Sequence, residues 1–190
     1  MSRLFVAVRL PAPAIAAATE TAARLRACLP DAVGARWVSP ANMHLTVRFI
    51  GHVDEGRVSG ILGVLSPPLH VAPFDVQLDQ CGVFPRTGAP RVIWIGLSDG
   101  VSSLRALHEQ VNHRLEPFGL PPEARDFSVH LTLARIKHAP AGSSRKAREC
   151  VASVRPSPVR WRVATATVFQ SLLSPKGPTY RPLVDVACMP

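Results

Sequence analysis

The sequence predicts a single domain of mixed strands and helices, built by internal duplication into two lobes with a cleft between them. Three observations lead there. A β-α-β-α-β order of periodic segments runs along the chain twice, at a nearly constant offset. The tripeptide His-Leu-Thr occurs once in each copy, at residues 44–46 and 130–132. A chain of 190 residues, 47% hydrophobic and 18% charged, can bury a core of the globular kind. The repeat units lie at about 3–82 and 91–173 of one domain spanning residues 1–190.

In the first unit, residues 3–9 (RLFVAVR) are a short apolar strand bounded by Pro11. Residues 12–29 are an Ala-rich helix opened by prolines and stopped at Pro30. Residues 43–50 (MHLTVRFI) are β-branched and aromatic and predict a strand. Residues 54–65 predict a helix with Asp54 as N-cap and apolar positions 58, 61, 62 and 65. Residues 74–80 alternate like a half-buried strand. The second unit repeats this order with a strand at 91–97, a helix at 101–118 closed by Gly119, the second His-Leu-Thr strand at 128–136, and a helix at 143–154. One long alternating strand is expected at 159–173 and a short last one at 180–186. Matching features start at 3 and 91, 44 and 130, and 54 and 143. Turn-rich stretches such as 66–73, 84–90 and 119–126 separate them, and none is long enough for an interdomain linker. Two units make a duplication, whereas a solenoid needs at least three.

The formal charge is +9, from 22 basic and 13 acidic residues, and the only lysines are at 137, 146 and 176. Arginine forks match phosphate geometry, so the excess is compatible with a polyanionic partner. Arg-biased codon usage in a GC-rich genome would produce the same excess, so charge alone does not establish one. No apolar run approaches the roughly 20 residues of a membrane helix. The N-terminal apolar stretch is broken by Arg9, Pro11 and Pro13, which is unlike a signal peptide. A cytoplasmic protein without membrane association is expected. Cys28, Cys81, Cys150 and Cys188 form no C-x-x-C pair, which points to free thiols rather than a zinc knuckle or a redox motif.

The chemistry resides in the repeated tripeptide. Strand side chains alternate faces, so Leu45 and Val47, like Leu131 and Leu133, can anchor a core while His44, Thr46, His130 and Thr132 face outward. Lobes related by a pseudo-two-fold would turn both His-Thr pairs into one cleft. A neutral imidazole can take a proton from water, and an imidazolium opposite can give one to a leaving oxygen, each role typically worth about 10²–10⁴-fold in rate. Threonine hydroxyls donate to anionic oxygens. These parts suit in-line attack on a phosphodiester. An isolated strand histidine is usually a solvated polar residue. However, Leu-Thr should follow a given His by chance only about once in two hundred cases at ordinary residue usage.

A metal site is the rival reading. Two histidines fall short of the three protein ligands such a site needs. His52, His70, His108, His113 and His138 are further ligands by residue type only, and His108 and His113 are five apart, poor spacing for one helix face. Nothing resembles H-E-x-x-H, so neither a metal nor another cofactor is expected. Secondary candidates follow from position. Arg48 shares the parity of His44 and Thr46 and so either points toward the cleft or stands as a surface charge at the strand end, whereas Arg135 has the opposite parity to His130 and would reach phosphate only past a bulge or the strand end. Trp37, Phe49 and Tyr180 offer faces on which a base could stack, or else belong to the core.

Paired H-x-T-aliphatic motifs in a duplicated chain resemble those of the 2H phosphoesterases, and most of all the bacterial and archaeal RNA 2′,3′-cyclic phosphodiesterases, also called 2′–5′ RNA ligases. The resemblance covers nearly the whole chain. It includes RLFVAVRLP at the start, RWVSPANMHLTVRFIGHV (36–53), CGVFPRTGAPRVIWIGL (81–97), RDFSVHLTLARIK (125–137) and FQSLLSPKGPTYRPL (169–183). It implies an α+β fold of two antiparallel sheets with helices outside, and metal-independent opening of RNA 2′,3′-cyclic phosphate ends to 2′-phosphates. By the same resemblance His44 is the proton donor to the leaving 3′-oxygen and His130 the acceptor that activates water. Thr46 and Thr132 hold the phosphate oxygens, and Arg135 occupies a position where the family carries an arginine. The implied partner is an RNA or nucleotide with a cyclic phosphate end. Separately from the resemblance, a monomer is expected, as no obligate protein partner is evident in the sequence. One departure is Val129, where the family usually has proline, a change that could alter the angle of His130. The same groups would also serve another cyclic phosphate, 2′–5′ ligation, or an RNA-end-binding module without turnover.

Overall fold

The computed structural model describes residues 1–123, 126–175 and 177–190. Its elements run β1 (Ser2–Arg9), α1 (Ala12–Cys28), β2 (Gly34–Trp37), β3 (His44–Val53), α2 (Glu55–Leu65), β4 (Leu69–His70), β5 (Phe74–Phe84), β6 (Val92–Asp99), α3 (Val101–Leu115), β7 (Leu131–His138), α4 (Ala141–Ser153), β8 (Val159–Val163), β9 (Thr165–Ser174) and β10 (Gly177–Met189). Local chemistry sets their ends. Pro11 precedes α1, and the chain turns extended at Leu29, just before Pro30. After α3 a 3₁₀ turn over Glu116–Phe118 ends at Gly119, whose φ of 63° is the left-handed value that glycine adopts most easily. The fold is α+β.

The strands form one path in the order β4-β10-β9-β1-β3-β7-β6-β5-β8, with β2 added beside β7. The two expected sheets are the halves of this path. They meet where β3 and β7 join antiparallel through a single residue pair, Leu45 and Leu131. Leu45, Val47, Leu131 and Leu133 are all buried in one core cluster shared by both halves. β1 is buried on both faces: Leu4, Val6 and Val8 enter that core, while Phe5 and Ala7 join Phe169 in a smaller cluster with Tyr180 against it.

The unit of sequence repetition is not the unit of packing. The half built on β9-β1-β3 carries α2 and α3, with α3 lying on β3 and on α2. The half built on β5-β6-β7 carries α1 and α4, with α1 lying on β8 and α4 on β5. The first repeat therefore keeps β1, β3 and α2 and gives α1 and β5 to the other half, and the second keeps β6, β7 and α4 and gives α3 and β9. Arg9 pairs with His44 at one end of β1 and β3, so the segment between them only has to leave and return at that end. α1 uses this freedom to cover the opposite half. The same reciprocity places α3 and β9 across the junction.

Two expectations need correction. The single strand at 159–173 is two strands. β8 pairs with β5 in one half and β9 pairs with β1 and β10 in the other, so the chain crosses between halves at Ala164. The sequence pattern runs on through the break although β9 is buried on both faces over Ala166–Phe169, and periodicity cannot reveal a change of partner. Secondly, Cys28 and Cys150 are not free thiols. They form a disulfide between α1 and α4, with Cα atoms 5.7 Å apart. The exchange of helices brings these residues together across 122 positions of sequence, which no local spacing could indicate. Cys81 and Cys188 are free. Burial pushes the Cys81 thiol up to about 11 and raises that of Cys188, so both stay protonated near neutrality. No helix among the described residues is long and apolar enough to cross a membrane.

Candidate active site

On the sheet face away from the core lies a cleft of about 490 Å³, within the size range of small-ligand sites. His44, Thr46, His130 and Thr132 all line it, two from each half. Strand alternation at the β3–β7 junction places them there: the leucines between them, Leu45 and Leu131, point into the core and pair with each other. Both His-Thr pairs thus flank one line where the two halves join.

Each imidazole is held in the same way. His44 Nδ1 lies 2.7 Å from the Asn42 carbonyl oxygen, and His130 Nδ1 lies 2.7 Å from that of Ser128. A carbonyl only accepts, so Nδ1–H donates in both rings and Nε2 is the nitrogen free to exchange protons. The carbonyl lies two residues before the histidine in both copies. Val129 leaves this anchor intact, matching Met43 at the equivalent place. Aromatic walls complete the holding. Phe5 and the edge-on ring of Tyr180 flank His44 at 5.0 and 5.2 Å between centroids, and Phe84 stands edge-on to His130 at 5.0 Å. Trp94 backs Phe84 and lies over Gly82, where an added Cβ would collide with its ring, so only glycine fits beneath it.

Both imidazoles titrate below the ordinary value of 6.5. Burial is the main cause in each case, opposed by the backbone carbonyl and reinforced by the Arg135 charge, with His130 adding to the effect on His44.

Beyond the tripeptides, parity fails in both strands at the same place. The register of β3 against β1 slips between Arg48 and Thr46, leaving Val47 as an extra residue. That of β7 against β6 slips between Ala134 and Thr132, leaving Leu133 extra. Each bulge sits on the residue after the threonine and turns the next positions over. Val47 and Arg48 are both buried, as are Leu133 and Ala134, and the fifth residue after each histidine, Phe49 or Arg135, emerges into the cleft.

Arg48 accordingly does not reach the cleft, which corrects its assignment by parity. It is 5% exposed and donates to the carbonyls of Phe49 and Pro121, with Glu123 at 3.5 Å. Arg135 lines the cleft, and of the two routes open to it, a bulge or the strand end, the bulge at Leu133 is the one present. Of the aromatic candidates, Phe49 is 44% exposed at the cleft edge and Tyr180 forms part of its wall. Trp37 lies instead in an adjoining groove, with the Arg26 guanidinium 5.0 Å from its ring centroid. The α3 face holds a further link. The buried His108 ring, stacked on Phe127, lies with Nδ1 2.7 Å from the carbonyl of Val47, the bulged residue, while Asn112 Nδ2 donates to its Nε2 at 2.9 Å. His113, on the same helix, is exposed, and among the described residues no three of His, Cys, Asp and Glu gather where a metal ion could be held.

Sequence reasoning missed Arg3, Phe5, Asn42, Phe84 and Trp94. Asn42 and Ser128 carried a signal, standing two residues before a histidine in both copies. The others come from neighbouring strands, and only the register identifies them.

A family model described as LigT-like phosphoesterase matches the chain twice, at residues 13–94 and 95–180. A curated protein of Aeropyrum pernix named RNA 2′,3′-cyclic phosphodiesterase is 36% identical over 172 residues, covering 86% of this chain and 93% of the relative. One of the same name from Thermotoga maritima is 33% identical over 153 residues, covering 80% and 79%. Among solved structures, TT0787 of Thermus thermophilus superposes with a TM-score of 0.76 at 30% identity, with 97% of each chain covered. E. coli LigT complexed with NADP+ superposes with a TM-score of 0.76 at 26% identity, covering 100% of this chain and 98% of that one.

Proposed function

The chain belongs to the LigT-like phosphoesterase family, and from that premise we propose that it hydrolyses 2′,3′-cyclic phosphate ends of RNA to 2′-phosphates by acid–base catalysis between His44 and His130, without a metal. The observation that carries the proposal is the pair of imidazoles, one from each half of the sheet, each with Nδ1–H fixed on a backbone carbonyl and Nε2 left for chemistry. The names of the relatives supply the substrate class. NADP+, found with E. coli LigT, bears a 2′-phosphate on its adenosine ribose, the group the reaction would generate.

In the reaction, His130 Nε2 takes a proton from water as the water oxygen bonds to phosphorus. The bond from phosphorus to the 3′-oxygen breaks on the opposite side, and His44 Nε2–H protonates that oxygen. The product is a 2′-phosphomonoester. His130 ends protonated and His44 neutral, and exchange with solvent restores both. The donor and acceptor roles follow the family resemblance. Thr46 and Thr132 donate to the non-bridging oxygens, and Arg135 balances their charge. Phe49 and Tyr180 flank the terminal nucleoside. One chain supplies every group, so the reaction is assigned to a monomer.

The test is turnover of an oligonucleotide ending in a 2′,3′-cyclic phosphate, in excess chelator. Undiminished turnover is expected. Activity lost to chelator and restored by zinc would remove the metal-free mechanism. The pH dependence is a second check. Competence needs one protonated and one neutral imidazole, and both titrate below the usual 6.5. The kcat/KM profile should therefore be a bell centred on the acid side of that value, reporting the coupled pair. A bound phosphodiester anion favours imidazolium, so the alkaline limb of kcat should lie at higher pH than that of kcat/KM. Arg135→Gln should move the kcat/KM bell upward, because it removes a charge that holds both rings down.

A further inference from the structure

A groove of about 290 Å³ adjoins the cleft and shares with it Asn42, Arg135 and Tyr180. Its own walls include Arg36, Trp37 and Gly177. Arg36 on β2 and Arg135 on β7 are register partners, so two guanidinium side chains leave directly opposed positions on one face of the sheet. Like charges so placed repel, and the ion pairs found among the described residues engage neither of them. An anion between them would relieve the repulsion.

Arg36 lines the groove beside the start of β10. The strand β10 begins at Gly177 with φ 120°, and a Cβ there would stand 2.5 Å from Arg36 Nη2, so glycine leaves the guanidinium its place. Asn42 Nδ2 donates to the Pro178 carbonyl at 2.8 Å, tying the segment before His44 to β10 where cleft and groove meet. Trp37 is half-buried, with one face of its ring beneath the Arg26 guanidinium.

We infer that this groove is a subsite for the RNA chain immediately 5′ of the cyclic-phosphate nucleotide, with Arg36 as the ligand of the next phosphate and Trp37 flanking the adjoining nucleoside. The inference rests on the cyclic-phosphate reading above and extends it to substrate length. A terminal nucleotide held between His44 and His130 has one covalent continuation, which must leave the cleft. The groove is an exit continuous with the cleft, and it carries positive charge and an aromatic side chain, the combination that single strands bind. Arg135, at the boundary, has donors for both phosphates. The enzyme is accordingly built for RNA ends in preference to free cyclic nucleotides.

The experiment compares a nucleoside 2′,3′-cyclic phosphate with a dinucleotide ending in the same group, for the wild-type protein, Arg36→Ala and Arg36→Gln, across a series of salt concentrations. The dinucleotide should have a KM about five- to tenfold lower in the wild type, as one charge-assisted contact supplies. Its log–log salt dependence should be steeper by about 0.7, the contribution of one single-strand phosphate. Both Arg36 variants should raise the dinucleotide KM to the mononucleotide value, leaving kcat and the mononucleotide constants within about twofold for an exposed side chain. Equal KM values for the two substrates in the wild type, or variants that shift both substrates alike, would overturn the inference. Absence of turnover of both substrates would count against the cyclic-phosphate reading instead. In that event, titration of the wild type and Arg36→Ala with a dinucleotide ending in a 2′-phosphate decides the groove separately: weaker binding by the variant upholds it, and equal binding overturns it.

Discussion

Replacing His44 or His130 with alanine should lower kcat on a cyclic-phosphate RNA end by about 10²–10⁴-fold in each case, with KM changed little. Each ring acts on a proton that moves only in the transition state, so the loss should appear in kcat and kcat/KM alike. The two steps belong to one displacement, and the double variant should therefore fall far less than the product of the single losses. The pH profiles should separate the roles. His130→Ala should lose the acid limb, where the base is protonated, and His44→Ala the alkaline limb, where the acid is deprotonated. Thermal unfolding of each variant checks that the loss is chemical. Wild-type turnover in either variant would take that residue out of the mechanism.

The second large effect concerns stability. Leu45 and Leu131 are each 0% exposed and form the single residue pair through which β3 and β7 join the two halves of the sheet. Either leucine replaced by alanine should lose about 2–5 kcal/mol, from lost burial and the cavity left behind. For a domain of this size that corresponds to a fall in Tm of roughly 5–20 °C. Each leucine also lies between a site histidine and its threonine, so activity should fall even where the variant stays folded. Denaturant unfolding measures the first effect. A change below about 1 kcal/mol would mean that the junction is not a packed part of the core.

The two His-Leu-Thr strands were legible in the sequence because a half-buried strand writes its faces at alternate positions, and because duplication wrote the pattern twice. Helix ends were legible where Pro30 and Gly119 impose backbone conformation. Parity ceased to inform beyond Val47 and Leu133, because a bulge adds a residue without altering composition. That is why Arg48 went into the wall and Phe49 and Arg135 came into the cleft. The exchange of α1 and β5 against α3 and β9 was invisible for a related reason. Local periodicity says which face is buried, not against what. The Cys28–Cys150 disulfide and the crossing at Ala164 both follow from that exchange, as does the aromatic wall of Phe84 and Trp94 beside His130.

In the proposed reaction the two imidazoles open a cyclic phosphate, with His130 activating water and His44 protonating the departing 3′-oxygen. The most direct measurement is the identity of the phosphate formed when an RNA ending in a 2′,3′-cyclic phosphate is incubated with the protein in excess chelator, read by phosphorus NMR of the terminal nucleotide. A single 2′-phosphomonoester is expected. A 3′-phosphomonoester, or a cyclic ester left unopened until a metal is added, would contradict it.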